Sequence, residues 1–131
     1  MPVNHEMKIL VVDDMSTMRK IIRAMLIKCG FKTVVETDDG ATAWPIIQDA
    51  VTNGVPFDFI ISDWNMPQMS GLDLLKKVRA LDTTKKIPFL MVTAEAEQAN
   101  VVTAVQAGVS NYIVKPFSQQ TLKEKIDKIF P

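Results

Sequence analysis

Three acids, one hydroxyl and one amine hold the chemistry legible in this sequence, and each follows a short apolar run. Asp13 and Asp14 come directly after Ile9 to Val12, and Asp63 comes after Phe59 to Ile61 and Ser62. Thr93 follows Phe89 to Val92, and Lys115 follows Tyr112 to Val114. Carboxylates crowded within a few ångströms repel and raise one another's proton affinity unless a divalent cation sits among them. Mg2+ suits such a group, because it prefers hard oxygen ligands, keeps several waters, and takes one or two carboxylates together with phosphate oxygens. An acidic crevice with a lysine and a hydroxyl at its rim is suited to phosphoryl transfer, where positioning and charge neutralisation do most of the catalysis. An Asp can itself be the nucleophile, giving an acyl phosphate. The chain has no G-x-x-x-x-G-K-S/T loop and no Gly-rich turn after its first apolar run, so ATP is not the expected direct donor.

These residues act together only if the fold gathers them. Five β-rich runs, Ile9 to Val12, Val34 to Val35, Phe59 to Ile61, Phe89 to Val92 and Tyr112 to Val114, alternate with segments of helical spacing. The first helix carries Met18, Ile21, Ile22, Met25 and Leu26, with Ser16 as its expected N-cap and Gly30 as its stop. Ser70-Gly71-Leu72-Asp73 has a capping-box pattern, and Ser118 precedes Leu122, Ile126, Ile129 and Phe130. Pro45 is the awkward residue of the second helix. Starting that helix late, with Thr42 as N-cap, puts Pro45 in the first turn, where a missing N–H costs nothing. Runs apolar on both faces and alternating with helices imply an α/β fold: a doubly wound (βα)5, flavodoxin-like domain with a parallel five-stranded sheet. The common order 2-1-3-4-5 makes the first and third strands neighbours and opens a ligand crevice beyond their carboxyl ends. Taken singly, an Asp-Asp pair is a solvated turn, Thr93 a helix cap and Lys115 an exposed strand end. Four strand ends bearing acid, acid, hydroxyl and amine on one sheet edge are hard to produce by solvation alone.

Composition narrows the rest. The 131 residues suit one domain spanning 1–131, with 1–6 expected as a flexible lead-in. Fifteen Lys plus Arg against 15 Asp plus Glu leave no net charge, so there is no bulk basic field for nucleic acid or a membrane surface. A single Cys29 forbids an intrachain disulfide, and with His5 the only histidine a zinc site of sulfur and nitrogen ligands cannot be built. No apolar run approaches a membrane span, and Met-Pro-Val-Asn-His-Glu lacks a signal-peptide core, so a cytoplasmic protein is expected.

The segments VVDDMSTMRK, FIISDWNMPQMSGLDLLKKVRA, PFLMVTAEA and NYIVKPF resemble the receiver domains of bacterial response regulators, and more narrowly the single-domain chemotaxis receivers. The likeness runs from Met7 to Phe130 and extends to dipeptides such as Asp63-Trp64 that receivers in general need not share. The order 2-1-3-4-5 is the known order of such domains and is a worked case of the general rule for doubly wound sheets, so the resemblance carries it and the spacing does not derive it. The resemblance implies that Asp63 accepts a phosphoryl group from a histidine kinase, or from acetyl phosphate, and that the domain catalyses its own phosphorylation and dephosphorylation without conventional substrate turnover. It implies Mg2+ on the carboxylates of Asp14 and Asp63 and the backbone carbonyl of Asn65, with Asp13 acting through water. Lys115 pairs with one phosphoryl oxygen, and the Thr93 hydroxyl and Ala94 N–H serve another. Asn65 and Glu95 tune phosphate lifetime, Thr93 and Tyr112 form the switch, and Lys115-Pro116 is cis.

The same likeness implies an output face built of the fourth helix, fifth strand and fifth helix: Gln98, Val105, Val109, Tyr112, Phe117, Lys125 and Lys128. Its implied partners are a histidine kinase, the N-terminal peptide of the flagellar switch protein and a phosphatase, met as a monomer. This chain departs from the motor-binding pattern at Glu97 and Gln98, where Lys is common, and at Val105 and Val109, where Ala is common. Branched side chains in a helix-accepting groove risk overpacking of about 1–3 kcal/mol, and losing lysines removes charge complementarity. A phosphate sink or a regulator with a non-motor partner is therefore the alternative output. An Asp-nucleophile phosphohydrolase is a third reading; it lacks both a substrate-enclosing cap and a second acid two residues after Asp63, where Asn65 stands.

Overall fold

The three central strands of the sheet are short and buried at almost every position, which only a sheet covered on both faces permits. The computed structural model describes residues 3–94 and 98–131, with the backbone alone at 98–100. Five strands alternate with five helices: β1 (Lys8–Val12), α1 (Ser16–Lys28), β2 (Thr33–Thr37), α2 (Gly40–Thr52), β3 (Phe59–Asp63), α3 (Gly71–Ala80), β4 (Phe89–Thr93), α4 (Gln98–Gln106), β5 (Asn111–Val114) and α5 (Gln119–Ile129). All neighbours pair in parallel, in the order β2-β1-β3-β4-β5.

Alternation along each strand sorts its side chains into two cores. Ile9, Val11, Phe59, Ile61, Leu90, Val92 and Ile113 pack with Ile22 and Leu26 of α1 and with Leu122 and Ile126 of α5. Leu10, Val12, Ile60, Phe89 and Met91 face the other way, against Ala43 and Ile47 of α2 and Leu74, Leu75 and Val78 of α3. Register then sets the height of the polar residues. Val12 pairs with Ser62, so Asp13 lies level with Asp63; Asp63 pairs with Val92, and Thr93 with Val114, so Thr93 and then Lys115 step outward along the same edge.

The helix starts refine the sequence reading. Ser70 caps α3 by accepting from the Asp73 N–H, and Ser118 caps α5 by accepting from that of Thr121, as expected. Gly30 ends the α1 region with φ +100°, a conformation glycine adopts without strain. Ser16, however, is the first residue inside α1; the cap position is Met15, whose N–H is taken by the Asp13 carboxylate at 2.9 Å. The second helix starts earlier than expected, because Asp39 and not Thr42 is its N-cap, accepting from the Ala41 N–H. Pro45 thus falls in the second turn, where it denies the Ala41 carbonyl its usual helical donor. In the segment read as a flexible lead-in, the His5 ring lies 5.2 Å from that of Phe31, and Glu6 pairs with Lys32. Lys115-Pro116 is cis. Among the described residues no helix is long and apolar enough to cross a membrane.

Candidate functional site

Beyond the carboxyl ends of β1 and β3, Asp13, Asp14 and Asp63 each bring a carboxylate oxygen within 4.8 Å of the others. Asp13 is 0% exposed and Asp63 8%, whereas Asp14 faces solvent. Among the described residues one cation reaches two of them: Lys115 Nζ, from the residue after β5, lies 3.4 Å from Asp13 Oδ2 and 3.3 Å from Asp63 Oδ1. Backbone donors complete the set, with the Trp64 N–H on Asp63 Oδ1 at 2.9 Å. Arg19 Nη1 donates to the Asp13 carbonyl at 2.7 Å, which fixes the turn into α1.

Burial, and then the neighbouring Asp13 charge, push the Asp63 carboxyl above its ordinary 3.8, and Lys115 offsets this only in part. Three carboxylates against one ammonium leave negative charge unneutralised. The donor set is all oxygen and fits a hard divalent cation such as Mg2+.

Thr93 is buried as the last residue of β4, and Ala94 follows it, exposed. Asn65 is exposed two residues beyond Asp63. Glu95 and Glu97 lie outside the described residues, as does the side chain of Gln98. Tyr112 is half-buried against the α2–α3 side with Val109, and the Lys125 ammonium sits 4.9 Å from its ring centre. Phe117 packs toward the α1–α5 core instead, while Val105 is 62% exposed and Lys128 is exposed. Sequence reasoning missed Asp39, whose carboxylate also takes the N–H groups of Gln68 and Met69, beside the site. An Asp-Gly pair at the end of β2 was its available signal, an N-cap signature. It missed Arg79 too, which donates to the carbonyls of Ile87 and Gly108 and ties α3 to the turn after α4.

A parallel 2-1-3-4-5 sheet with acids after β1 and at the end of β3, a hydroxyl ending β4 and a lysine after β5 defines a phosphoryl-handling α/β receiver. The chain belongs to the response regulator receiver domain family, which it matches over residues 9–127. It is homologous to the chemotaxis response regulators: it is 54% identical over 124 residues to chemotaxis protein CheY of Pseudomonas aeruginosa, covering 95% of this chain and 96% of that one. The solved structure of chemotaxis response regulator CheY4 of Vibrio cholerae superposes with a TM-score of 0.84 at 33% identity, over 95% of this chain and 98% of that one. The receiver domain of sensor histidine kinase PA1611 of Pseudomonas aeruginosa PAO1, solved with a magnesium ion coordinated in its active site cleft, gives 0.78 at 28% identity, over 95% and 97% of the two chains.

Proposed function

We propose that Asp63 is the phosphoacceptor of this receiver, and that the carboxylates of Asp14 and Asp63 and the Asn65 backbone carbonyl hold Mg2+, with Asp13 acting through a bound water. The observation that carries this reading is the single Lys115 ammonium divided between two buried carboxylates, 3.4 Å from Asp13 and 3.3 Å from Asp63. A lysine so placed is free to transfer its charge to an arriving phosphoryl oxygen. The donor is the phosphohistidine of a histidine kinase, or acetyl phosphate. An Asp63 oxygen forms the new O–P bond as the donor's N–P bond breaks and the imidazole nitrogen keeps the electron pair; with acetyl phosphate the bond that breaks is O–P and acetate leaves with the pair. Bound Mg2+ supplies charge neutralisation at the phosphoryl oxygens. The Thr93 hydroxyl and Ala94 N–H donate to another phosphoryl oxygen, and the same geometry admits water to hydrolyse the acyl phosphate. Asn65 and Glu95 flank that path and set the lifetime.

Output runs through Thr93 and Tyr112 to the face of α4, β5 and α5, where Gln98, Val105, Val109, Phe117, Lys125 and Lys128 meet the N-terminal peptide of the flagellar switch protein. A phosphatase completes the cycle, and the receiver works as a monomer in the cytoplasm. A second output, a phosphate sink or a non-motor partner, is favoured by the exposed branched side chains of Val102 and Val105 on α4. Titrating the switch peptide with and without beryllofluoride separates them, since no gain in affinity on activation removes the motor. For the site itself, a Trp44→Phe background isolates the fluorescence of Trp64, which should respond to Mg2+ and to acetyl phosphate. Asp63→Asn should abolish the acetyl phosphate response; phosphate incorporation at the wild-type rate by that variant refutes the assignment.

A further inference from the structure

The loop that carries Asn65, residues 64–70, is fastened at three points. At its ends the Gly71 N–H donates to the Trp64 carbonyl at 2.8 Å, and the Trp64 N–H to Val92 at 2.9 Å. In between, Met66 is buried in the core on the α2–α3 side. The third fastening comes from a different element. Asp39, 5% exposed at the start of α2, accepts from Met69 N–H through Oδ1 at 2.9 Å and from Gln68 N–H through Oδ2 at 3.1 Å. The same Oδ1 also accepts from Ala41 N–H at 2.9 Å, so one carboxylate caps the helix and ties the loop. Gly40 keeps the two backbones in contact, since a Cβ there would lie 2.6 Å from the Met69 carbonyl oxygen. Burial alone would raise the Asp39 carboxyl; the N–H groups of Ala41, Met69, Gln68 and Gly40 outweigh it and hold the group below 3.8, so it is a fixed anion.

We propose that Asp39 is a positioning residue for the metal site: by tying residues 68 and 69 to α2 it sets where the Asn65 carbonyl stands relative to the three carboxylates. The inference rests on the reading that Asn65 and the carboxylates hold Mg2+. Mg2+ demands near-ideal octahedral geometry at 2.0–2.1 Å, whereas Ca2+ accepts irregular shells at 2.3–2.6 Å. A slackened loop therefore penalises Mg2+ more than Ca2+. Loss of such an outer partner typically costs about 10–100-fold in metal affinity.

Asp39→Ser is the informative variant, because serine is as good an N-cap for α2 but too short to reach the loop. Its Mg2+ dissociation constant, read from Trp64 fluorescence, should rise about tenfold, and Ca2+ affinity should fall less, so that the Mg2+ over Ca2+ preference narrows. In metal-free protein the Gln68 and Met69 amides should exchange faster with solvent. Asp39→Asn provides a second arm that retains side-chain volume: its amide N–H2 faces a backbone donor, and the same narrowing is expected at smaller amplitude. Unchanged Mg2+ affinity and unchanged selectivity in either folded variant overturn the role of Asp39. Failure of the wild-type protein to bind Mg2+ overturns the underlying reading of the site instead, and the two failures are distinguished by the wild-type titration.

Discussion

Removing the Asp63 charge should stabilise the metal-free domain and destabilise it, relative to wild type, once Mg2+ is present. Asp63→Asn is isosteric, and its Oδ1 still accepts the Trp64 N–H seen at 2.9 Å. At the 4.8 Å limit that bounds the three carboxylates, each repulsion on Asp63 is about 3.5 kcal/mol for an effective dielectric near 20. Attraction to Lys115 at 3.3 Å is about 5 kcal/mol on the same scale. Discounting the solvent-screened Asp14 brings the two sides close to cancellation. Desolvation decides the sign: the carboxylate is 8% exposed, and its raised proton affinity means that folding costs the charged form more than the neutral one. The expected gain is about 1 kcal/mol, or roughly 3–5 °C in melting temperature for a domain of this size. Saturating Mg2+ reverses the order, because a metal at 100 times its dissociation constant adds about 2.7 kcal/mol to the wild-type protein, and the variant, short of a ligand, gains less. Thermal unfolding followed by circular dichroism, in chelator and in saturating Mg2+, should therefore give melting curves that exchange rank. An Asp63→Asn protein that melts below wild type in chelator at neutral pH refutes the picture of a site under electrostatic stress.

Other perturbations test neighbouring parts of the site. Because the folded protein holds the Asp63 proton more tightly than the unfolded chain, metal-free stability should fall as pH rises from 3.8 through the raised folded value, while Mg2+ affinity rises over the same window; fluorescence titrations across that range check both signs. Asp39, held below 3.8, works the other way: its contribution is complete above that value and is lost as pH falls through the lowered folded one, a loss that Asp39→Ser should not show in acid unfolding curves. Lys115→Met should leave Mg2+ affinity equal or higher, since a competing cation is gone, yet slow phosphorylation by acetyl phosphate by about 10²-fold; unchanged kinetics would mean that the ammonium has no part in transfer. Gly71→Ala would drive a methyl into the Asp63 carbonyl oxygen, so a loss of about 1–3 kcal/mol in denaturant unfolding is expected, together with weaker Mg2+ binding.

The fold was legible where one physical signal dominated. Runs such as Phe89 to Val92, apolar on both sides, suit buried parallel strands, and the structure extends four of the five runs by one or two residues and Val34 to Val35 by three. Helix starts were less legible because several residues compete for them. Ser16 looks like a cap in isolation, but Asp13, held in place by β1, takes the Met15 N–H and leaves Met15 in the cap position, with Ser16 the first residue of the helix. Thr42 was favoured to excuse Pro45, yet the carboxylate of Asp39 satisfies three backbone N–H groups, from Ala41, Gln68 and Met69, and outweighs the one carbonyl that Pro45 leaves short. Two of those three lie nearly thirty residues further on, across a contact that no local pattern reports. The acids, Thr93 and Lys115 were visible as strand-end residues; that they meet is a consequence of strand order, which spacing alone does not dictate.

Sheet register also explains how an event at Asp63 can reach a surface. Thr93 pairs with Val114 and Met91 with Tyr112, so Thr93 and Tyr112 stand on neighbouring strands two residues apart along the sheet. Two residues is an even step, which puts both side chains on one face, separated by roughly 7 Å along the strand direction. Met91 and Tyr112 lie on the α2–α3 side, the side to which Val109 in the turn after α4 also belongs. A register slip of one residue would send Tyr112 to the α1–α5 side and break the connection. On the proposed switch reading, Tyr112 is the diagonal same-face neighbour of Thr93 on the adjacent strand, so a small displacement of Thr93 would be felt in the packing of Tyr112. Only about 1–3 kcal/mol need pass along that route to alter partner affinity 5- to 150-fold.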